Sequence, residues 1–88
     1  MKLILEDIRV IMDADERPTA LQWRLKRYRI VAVQERWRYV GNWWLTPHLR
    51  GQQRLYYRVS CVSVTGGATT DMEIYRAPDR WKLSRMLD

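Results

Sequence analysis

The sequence predicts an all-β domain in which six or seven antiparallel strands form a meander, closed into a strongly bent sheet or a small barrel. Three observations lead to this prediction. Apolar and polar residues alternate with period two in short segments, β-branched and aromatic residues are enriched there, and turn-forming residues separate the segments. Barrel closure is the economical arrangement, because a short open meander would leave exposed strand edges.

The N-terminal part of the chain predicts two strands before residue 25. The first runs from Leu3 to Met12 and is ended by residues 13–18, which are rich in turn formers and close with a proline. The second runs from Ala20 to Arg24 and alternates apolar with polar side chains. A tight turn near Leu25 and Lys26 then returns the chain.

The third predicted strand runs from Tyr28 to Tyr39. Its middle, residues 30–33, is apolar on both faces, which is typical of a strand in the centre of a sheet. A Gly-Asn pair at residues 41–42 turns the chain into a short segment, Trp43 to Leu45. Residues 46–53 contain a proline, a histidine and a glycine, and we expect them to form a surface loop.

The clearest alternation lies in the strand predicted from Arg54 to Val62. Its apolar face comprises Leu55, Tyr57, Val59 and Cys61, and its polar face comprises Arg54, Tyr56, Arg58 and Ser60. Residues 65–68 contain two adjacent glycines and predict a hairpin turn, because glycine accepts the positive φ angles of type I′ turns. A strand around Ile74 follows, and residues 77–79 turn the chain into a last strand around Leu83.

These segments fit one domain spanning residues 1–88, with no linker or repeat. The chain has five Trp, five Tyr and no Phe, so a few large aromatic side chains must supply much of the core volume. The inward phase of the predicted strands gives the expected core: Leu21, Trp23, Ile30, Val33, Trp37, Tyr57, Val59, Ile74, Trp81 and Leu83.

The net charge of +6 is distributed unevenly along the chain. Residues 1–16 carry a net charge of −3, residues 17–58 carry +9, and residues 59–88 are neutral. Thirteen of the 16 basic residues are arginines, whose planar guanidinium groups bind phosphate or carboxylate through two hydrogen bonds and stack on rings. A basic middle segment of this kind suits an anionic partner.

The sequence shows no constellation of residues for catalysis. His48, the single histidine, lies in the predicted surface loop, and Cys61, the single cysteine, is in phase with apolar neighbours and is expected to be a core thiol. The adjacent glycines lack the spacing of a phosphate-binding loop. No signal peptide or membrane-spanning segment is recognisable. We therefore expect a non-enzymatic cytoplasmic protein with no cofactor, no metal and no membrane contact.

Two acidic groups raise the question of a metal site. They are Asp13, Asp15 and Glu16 in the first turn, and Asp71 with Glu73 on a strand. The turn propensity of aspartate favours a solvated turn for the first group. For the second group, cross-strand pairing with Arg58, Lys82 or Arg85 is the ordinary outcome, and a metal site is the alternative.

Basic and aromatic residues interleave along the middle of the chain and predict a nucleic-acid interface. Its expected members are Arg24, Arg27, Arg29, Arg36, Arg38, Arg54, Tyr56 and Arg58. On the polar face of its strand, Tyr56 lies between two arginines, where a flat ring flanked by guanidinium groups could stack a base. Tyr39 and Tyr75 also lie on polar faces and are further contact candidates.

The alternative for the same residues is a structural role. Arginines can pair with strand carboxylates and lie over aromatic faces within the fold. Tryptophans and most tyrosines are expected to fill the core, because a small domain without phenylalanine has few other large apolar side chains. The sequence alone leaves both interpretations open.

A set of residues spread over nearly the whole chain resembles a known family. The set comprises Arg17, Pro18, Trp23, Arg24, Tyr28, Val33, Trp37, Trp43, Trp44, Tyr57, Arg58, Val59, Glu73, Ile74, Tyr75, Arg76, Trp81, Leu83, Arg85 and Asp88. From about Ile8 to Asp88 the chain resembles the short, uncharacterised bacterial domain found beside, or at the C-terminus of, Y-family polymerase homologues of the mutagenic translesion cassette. The resemblance implies a DNA-repair setting and carries over no catalytic or binding residues. Leu25 departs from the pattern, since the family usually has glycine there.

Two functional hypotheses follow. In the first, the domain is an accessory module of DNA-damage-tolerant replication that binds single-stranded or primer-template DNA. In the second, it is a protein-interaction module that docks on a Y-family polymerase homologue or an associated protein. The basic middle segment and Tyr56 favour the first hypothesis, and any exposed tryptophan would favour the second, because tryptophan and arginine dominate interface hot spots. A hydrolase is a distant third class.

Overall fold

The computed structural model of the chain describes residues 2–40, 53–78 and 80–87. Within these ranges the chain forms six strands: β1 (Lys2–Met12), β2 (Pro18–Trp23), β3 (Lys26–Val40), β4 (Gln53–Ser63), β5 (Thr69–Ala77) and β6 (Arg80–Leu87). Each strand pairs antiparallel with the next, and β1 pairs with β6, which closes a barrel. The predicted fold class, an antiparallel meander closed into a small barrel, is confirmed.

The predicted strand positions agree with the observed ones, and most ends differ by one to three residues. The turn predicted at residues 41–42, the segment Trp43 to Leu45 and most of the predicted loop, including His48, lie outside the described residues. None of the described residues belongs to a helix that is long and apolar enough to cross a membrane.

The core fills the inside of the barrel with side chains from β1 to β6. Its buried cluster consists of Ile8, Leu21, Tyr28, Tyr57, Val59, Cys61, Met72, Ile74 and Leu83. The predicted apolar face of β4 is therefore confirmed, since Tyr57, Val59 and Cys61 are all at most 5% exposed. Trp23 and Trp81, which were also expected in the core, are half-buried and pack against this cluster.

The middle of β3 is not buried on both faces as the sequence suggested. Val31 and Val33 are 52% and 42% exposed, so the predictions of a double-faced core segment and of a buried Val33 are wrong. The reason is topological. β2 pairs with β3 only from Lys26 to Arg29, and no described strand covers this side of β3 from Ile30 onward.

Two bulges in β3 also change which residues face inward. The register with β4 shifts between Ile30 and Ala32 and again between Val33 and Glu35, so Val31 and Gln34 are extra residues. After the second bulge Trp37 pairs with Tyr56, on the outer face of the barrel. The expectation that Trp37 belongs to the core is therefore wrong, although its side chain is half-buried.

The predicted β4–β5 hairpin is present, but its turn is longer than a two-residue type I′ turn. Ser63 N donates to Ala68 O at 3.0 Å, and Gly67 N donates to Ser63 O at 2.9 Å. Of the two glycines, only Gly67 has a positive φ, of 69°. The tight β2–β3 turn is confirmed, with Leu25 at its tip and 97% exposed.

Candidate nucleic-acid interface

The barrel does not bring the eight predicted interface residues together into one patch. Three lie on the outer face of β4: Arg54, Tyr56 and Arg58. Arg27 and Arg29 lie on the outer face of β3, because the intervening Tyr28 is buried. Arg36 and Arg38 follow the bulges and pair with Tyr57 and Leu55, so they lie on the same face of the sheet as the core residues. β2 does not pair with this part of β3. Arg24 lies in the β2–β3 turn.

Arg24 makes the most complete internal contact of this set. Its Nε and Nη2 donate to the two carboxylate oxygens of Glu6 at 3.0 and 2.6 Å, and Trp23 Nε1 donates to the same carboxylate at 3.3 Å. The guanidinium also lies 4.7 Å from the centre of the Trp23 ring. The hydrogen bond from Arg24 holds the pKa of Glu6 below its usual range, and the same bond raises the pKa of Arg24. This arginine therefore fastens the turn to β1.

Arg58 belongs to a row of alternating charges that crosses four strands on the outer face. The row is Glu35, Arg58, Glu73 and Arg85, from β3 to β6. Arg58 Nη1 lies 3.5 Å from a Glu35 oxygen, and Arg85 Nε lies 3.0 Å from a Glu73 oxygen. Glu73 is only 6% exposed. The pairing of Glu73 with Arg85 is one of the cross-strand contacts that the sequence predicted.

The next row on the outer face is aromatic and contains Tyr56. The ring of Tyr56 stacks on that of Trp37, with centroids 5.3 Å apart and planes 4° apart. On the β5 side the Tyr75 ring lies 5.0 Å from the Tyr56 ring. Tyr56 thus has a protein ring on either side, and a base could stack on it only after one of these rings moved. Tyr75 is 5% exposed, so its selection as a contact candidate is wrong.

Arg54 covers the edge of this aromatic row. Its guanidinium lies 4.9 Å from the centre of the Tyr75 ring, and its Nη1 donates to the Tyr56 hydroxyl at 3.5 Å. Tyr39, the residue paired with Arg54 across the ladder, packs edge-on against Tyr56 and remains 48% exposed. Tyr39 is thus the tyrosine of the outer face that keeps a large accessible area.

The remaining four arginines differ from Arg24, Arg54 and Arg58 because, within the described part of the chain, their side chains have no carboxylate within 4.0 Å and no hydrogen bond or ring contact. They are Arg27, Arg29, Arg36 and Arg38, all exposed and all on β3. From Arg27 to Arg38 an extended strand covers about 36 Å. These four residues define the basic strip of β3, in which Arg27 and Arg29 lie on the outer face and Arg36 and Arg38 lie on the opposite face beyond the end of β2. The strip is the part of the predicted interface that stays available to an outside anion.

A groove of about 480 Å³ lies between the β1–β2 turn and the bulged part of β3. Its apolar lining includes Pro18, Ile30, Val31 and Val33, and Arg36 also contributes. The turn on its other side is ordered by Asp13, whose Oδ1 accepts hydrogen bonds from the backbone N–H groups of Asp15 and Arg17 at 2.9 and 3.0 Å. No sequence pattern indicated this groove, because it arises from the divergence of two strands.

Two residues that the sequence analysis considered for catalysis or metal binding, Cys61 and Asp71, make contacts within the fold. Cys61 is fully buried within the core cluster, which confirms that it is a core thiol, and this burial raises the pKa of the thiol to about 12. Asp71 accepts a hydrogen bond from Ser60 Oγ at 2.8 Å, and Ser60 Oγ accepts one from Gln34 Nε2 at 2.6 Å. These contacts extend the outer-face rows.

The fold and its surface define a class, a small closed antiparallel barrel whose third strand is basic and partly open to solvent. Within that class, the chain belongs to the family described as Domain of unknown function (DUF6504), whose sequence model matches residues 2–88. No curated protein and no solved structure matches the chain.

Proposed function

We propose that the domain is a non-catalytic module that binds single-stranded nucleic acid through the basic strip of β3. The observation that carries this proposal is the set of four exposed arginines that pair with no described carboxylate. Guanidinium groups hold phosphate oxygens in bidentate geometry. A strip about 36 Å long fits the site sizes of small β-barrel domains, roughly 4 to 16 nucleotides.

Tyr39 supports the proposal by supplying an exposed ring on the outer face of β3, the face that also carries Arg27 and Arg29. Base stacking on an aromatic side chain contributes about 1–3 kcal/mol per base and tolerates any sequence. The direct contacts with nucleic acid that the sequence predicted do not extend to Arg24, Arg54, Tyr56 and Arg58 in this proposal. Arg24 and Arg58 pair with Glu6 and Glu35, and Arg54 and Tyr56 contact neighbouring aromatic rings, so these four residues stabilise the barrel and the strip makes the direct contacts.

The test is the salt dependence of binding to a fluorescently labelled single-stranded oligonucleotide, measured by anisotropy. Each neutralised phosphate releases counterions, and four contacts give a slope of log K against log salt of about −2.8. Arg38→Ala should make the slope shallower by about 0.7. Arg9→Ala removes the same charge from an exposed position on β1 and should leave the slope unchanged.

Equal slope changes for the two variants would show that only net charge matters and would remove the strip from the proposal. Absence of any salt-dependent binding by the unaltered domain would refute nucleic-acid binding altogether. Both measurements are made on variants whose melting temperatures equal that of the unaltered domain, so that loss of folding is not mistaken for loss of contact.

The biological setting of the proposal comes from the sequence resemblance. We propose that the bound strand is the single-stranded or primer-template DNA of damage-tolerant replication, near a Y-family polymerase homologue. Surface immobilisation of the domain and titration with such a polymerase, with and without a primer-template, tests this setting. Binding that requires the DNA would support a shared substrate, and DNA-independent binding would support direct docking.

Direct docking on a protein is the second candidate function. The specific observation in its favour is the pair of exposed valines, Val31 and Val33, beside the groove at the open side of β3. Apolar side chains contribute little to a phosphate-binding surface, whereas they are ordinary components of protein interfaces.

A further inference from the structure

One side of β3 has an extended backbone that pairs with no other strand among the described residues from Ile30 onward. β4 pairs with β3 along its length, from Tyr28 to Val40, whereas β2 stops pairing at Arg29. From Ile30 onward, no strand in the described part of the chain occupies the second edge. An unoccupied edge is a template on which another extended chain can add as a strand.

The groove lies along the first part of this edge and can receive side chains of an added strand. Its volume of about 480 Å³ is within the range of pockets that bury ligand groups. Val31 and Val33 expose apolar surface on its β3 wall, and Pro18 lies across from them. Burial of that surface would add to the backbone hydrogen bonds, at about 25 cal/mol per Å².

The groove is lined by acidic side chains near the β1–β2 turn and by a basic side chain further along β3. Asp13 and Glu16 lie on the turn, across from the first bulge, and Arg36 lies further along β3, with Arg38 beyond it. Arg17 on the turn balances part of the acidic charge. Carboxylates beside the apolar wall disfavour a phosphate backbone there, so a peptide fits this groove better than a nucleic acid does.

We propose that the open edge of β3 binds an extended segment of a partner protein as an added antiparallel strand. Antiparallel pairing is the mode of every strand pair in the barrel and is the more stable mode. The N-terminal end of such a strand lies by Arg36 and its C-terminal end lies by the turn. The segment therefore begins with acidic residues, continues with alternating apolar residues and ends with basic residues. This inference gives the second candidate function a partner of stated chemistry, and nucleic-acid binding does not depend on it.

The experiment compares two synthetic peptides of identical composition. Both contain valines that alternate with threonines; one has glutamates at its N-terminal end and lysines at its C-terminal end, and the other has the charges exchanged. Each peptide is titrated into the isotope-labelled domain, and backbone amide shifts and hydrogen exchange are followed by NMR. We expect shifts and slowed exchange from residue 31 to residue 39, and binding of the first peptide about fivefold tighter than the second.

A pair of matched variants locates the site. Val33→Lys places a charge on the open edge, as natural edge strands do, and should weaken binding of the first peptide by about tenfold or more. Val64→Lys makes the same change at a side chain that is 65% exposed in the β4–β5 turn and should leave binding unchanged. Both positions are exposed, so the amide spectrum should keep its dispersion in both variants.

Four results would overturn the inference. The first is equal or tighter binding of the charge-exchanged peptide, and the second is equal weakening by the two lysine variants. The third is concentration-dependent broadening at residues 31–39 without peptide, which would identify a second copy of the chain as the occupant. The fourth is a shift of the amide signals of residues 31–33 by single-stranded DNA that also displaces the bound peptide, which would assign the groove to nucleic acid; shifts confined to the amides of Arg36 and Arg38 are expected from the basic strip alone.

Discussion

Glu6 accepts hydrogen bonds from a turn arginine and a tryptophan indole, and this cluster joins β1 to the β2–β3 turn. The two donors, Trp23 and Arg24, lie 17 and 18 positions after Glu6 in the chain, so no sequence spacing indicated the contact. A bidentate arginine fixes both the position and the plane of the carboxylate. At the scale of single residues, this cluster shows how an arginine that looks available in the sequence becomes part of the fold.

The lowered pKa of Glu6 makes folding stability depend on acid pH. Because the folded-state pKa lies below the unfolded one, the contribution of Glu6 is present above the ordinary carboxyl pKa of 4.5 and is lost as the pH falls through the lower folded value. Glu6→Gln should therefore lower the melting temperature at pH 7 and have a smaller effect at pH 3. Thermal unfolding followed by circular dichroism at both pH values measures this.

Glu16→Gln provides the control for that measurement, because Glu16 is an exposed glutamate with no ion pair to a described residue. Its replacement should shift the melting temperature little at either pH. If Glu6→Gln also lowered the melting temperature equally at pH 3 and pH 7, the charge of Glu6 would not be the source of its contribution.

Contacts of individual residues also explain why the predicted interface divides into residues with partners inside the barrel and exposed arginines on β3. Sequence patterning placed Tyr56 and Arg58 on the polar face of their strand, and that placement is correct. It could not show that the facing strands supply a tryptophan, a tyrosine and a glutamate to those side chains, because strand register is a tertiary property. The exposed β3 arginines were predicted without any signal that separated them from the paired ones.

The inward-facing residues of β4 were predictable from the sequence, and those of β3 were not. The alternation of β4 is uninterrupted, so every second side chain from Leu55 to Cys61 faces inward. In β3 the bulges at Val31 and Gln34 insert one residue each, and period-two counting fails after the first of them. Nothing in the local composition of β3 marks these insertions, and the phase of Trp37 could not be obtained from the sequence.

The β4–β5 turn allows a test with two adjacent glycines. Gly67 has a φ of 69°, a conformation that costs a residue with a Cβ atom about 1–2 kcal/mol, so Gly67→Ala should lower stability by that amount. Gly66 has no positive φ, and a Cβ atom there would lie 3.7 Å from Ser63 Oγ, an ordinary contact. Gly66→Ala should be neutral or stabilise by up to about 1 kcal/mol.

Chemical denaturation of the two alanine variants, at equal buffer and temperature, gives both free energies of unfolding. The prediction concerns their order as much as their size. Equal destabilisation by the two replacements would mean that the turn changes its conformation when either glycine is lost.

For the barrel as a whole, Cys61 is a reporter of opening. Its thiol is fully buried and its pKa is raised to about 12, so a thiol reagent at pH 8 should label it only after the barrel opens. Ile74→Ala removes a fully buried side chain of the same core and should cost about 2–5 kcal/mol. If opening is global, the labelling rate should rise by at least about 30-fold in this variant.

Ile74→Val is the graded control, with an expected cost of about 0.5–1.5 kcal/mol and a correspondingly smaller rise in labelling rate. The labelling rates are compared with free energies of unfolding from denaturant titrations of the same proteins. Labelling of the unaltered domain that is fast and insensitive to both replacements would show that β4 becomes accessible by a local movement.

The charged and aromatic rows on the outer face also bear on how the chain avoids wrong pairings while it folds. A slip of β4 by two residues against β5 would keep Tyr57 and Val59 facing inward, so the hydrophobic pattern alone does not oppose it. A slip in either direction would take Tyr56 away from Tyr75, and in one direction it would also place Arg58 opposite Tyr75 in place of Glu73. The outer face thus distinguishes the native alignment from its nearest competitors, and misaligned hairpins are left less stable than the correct one.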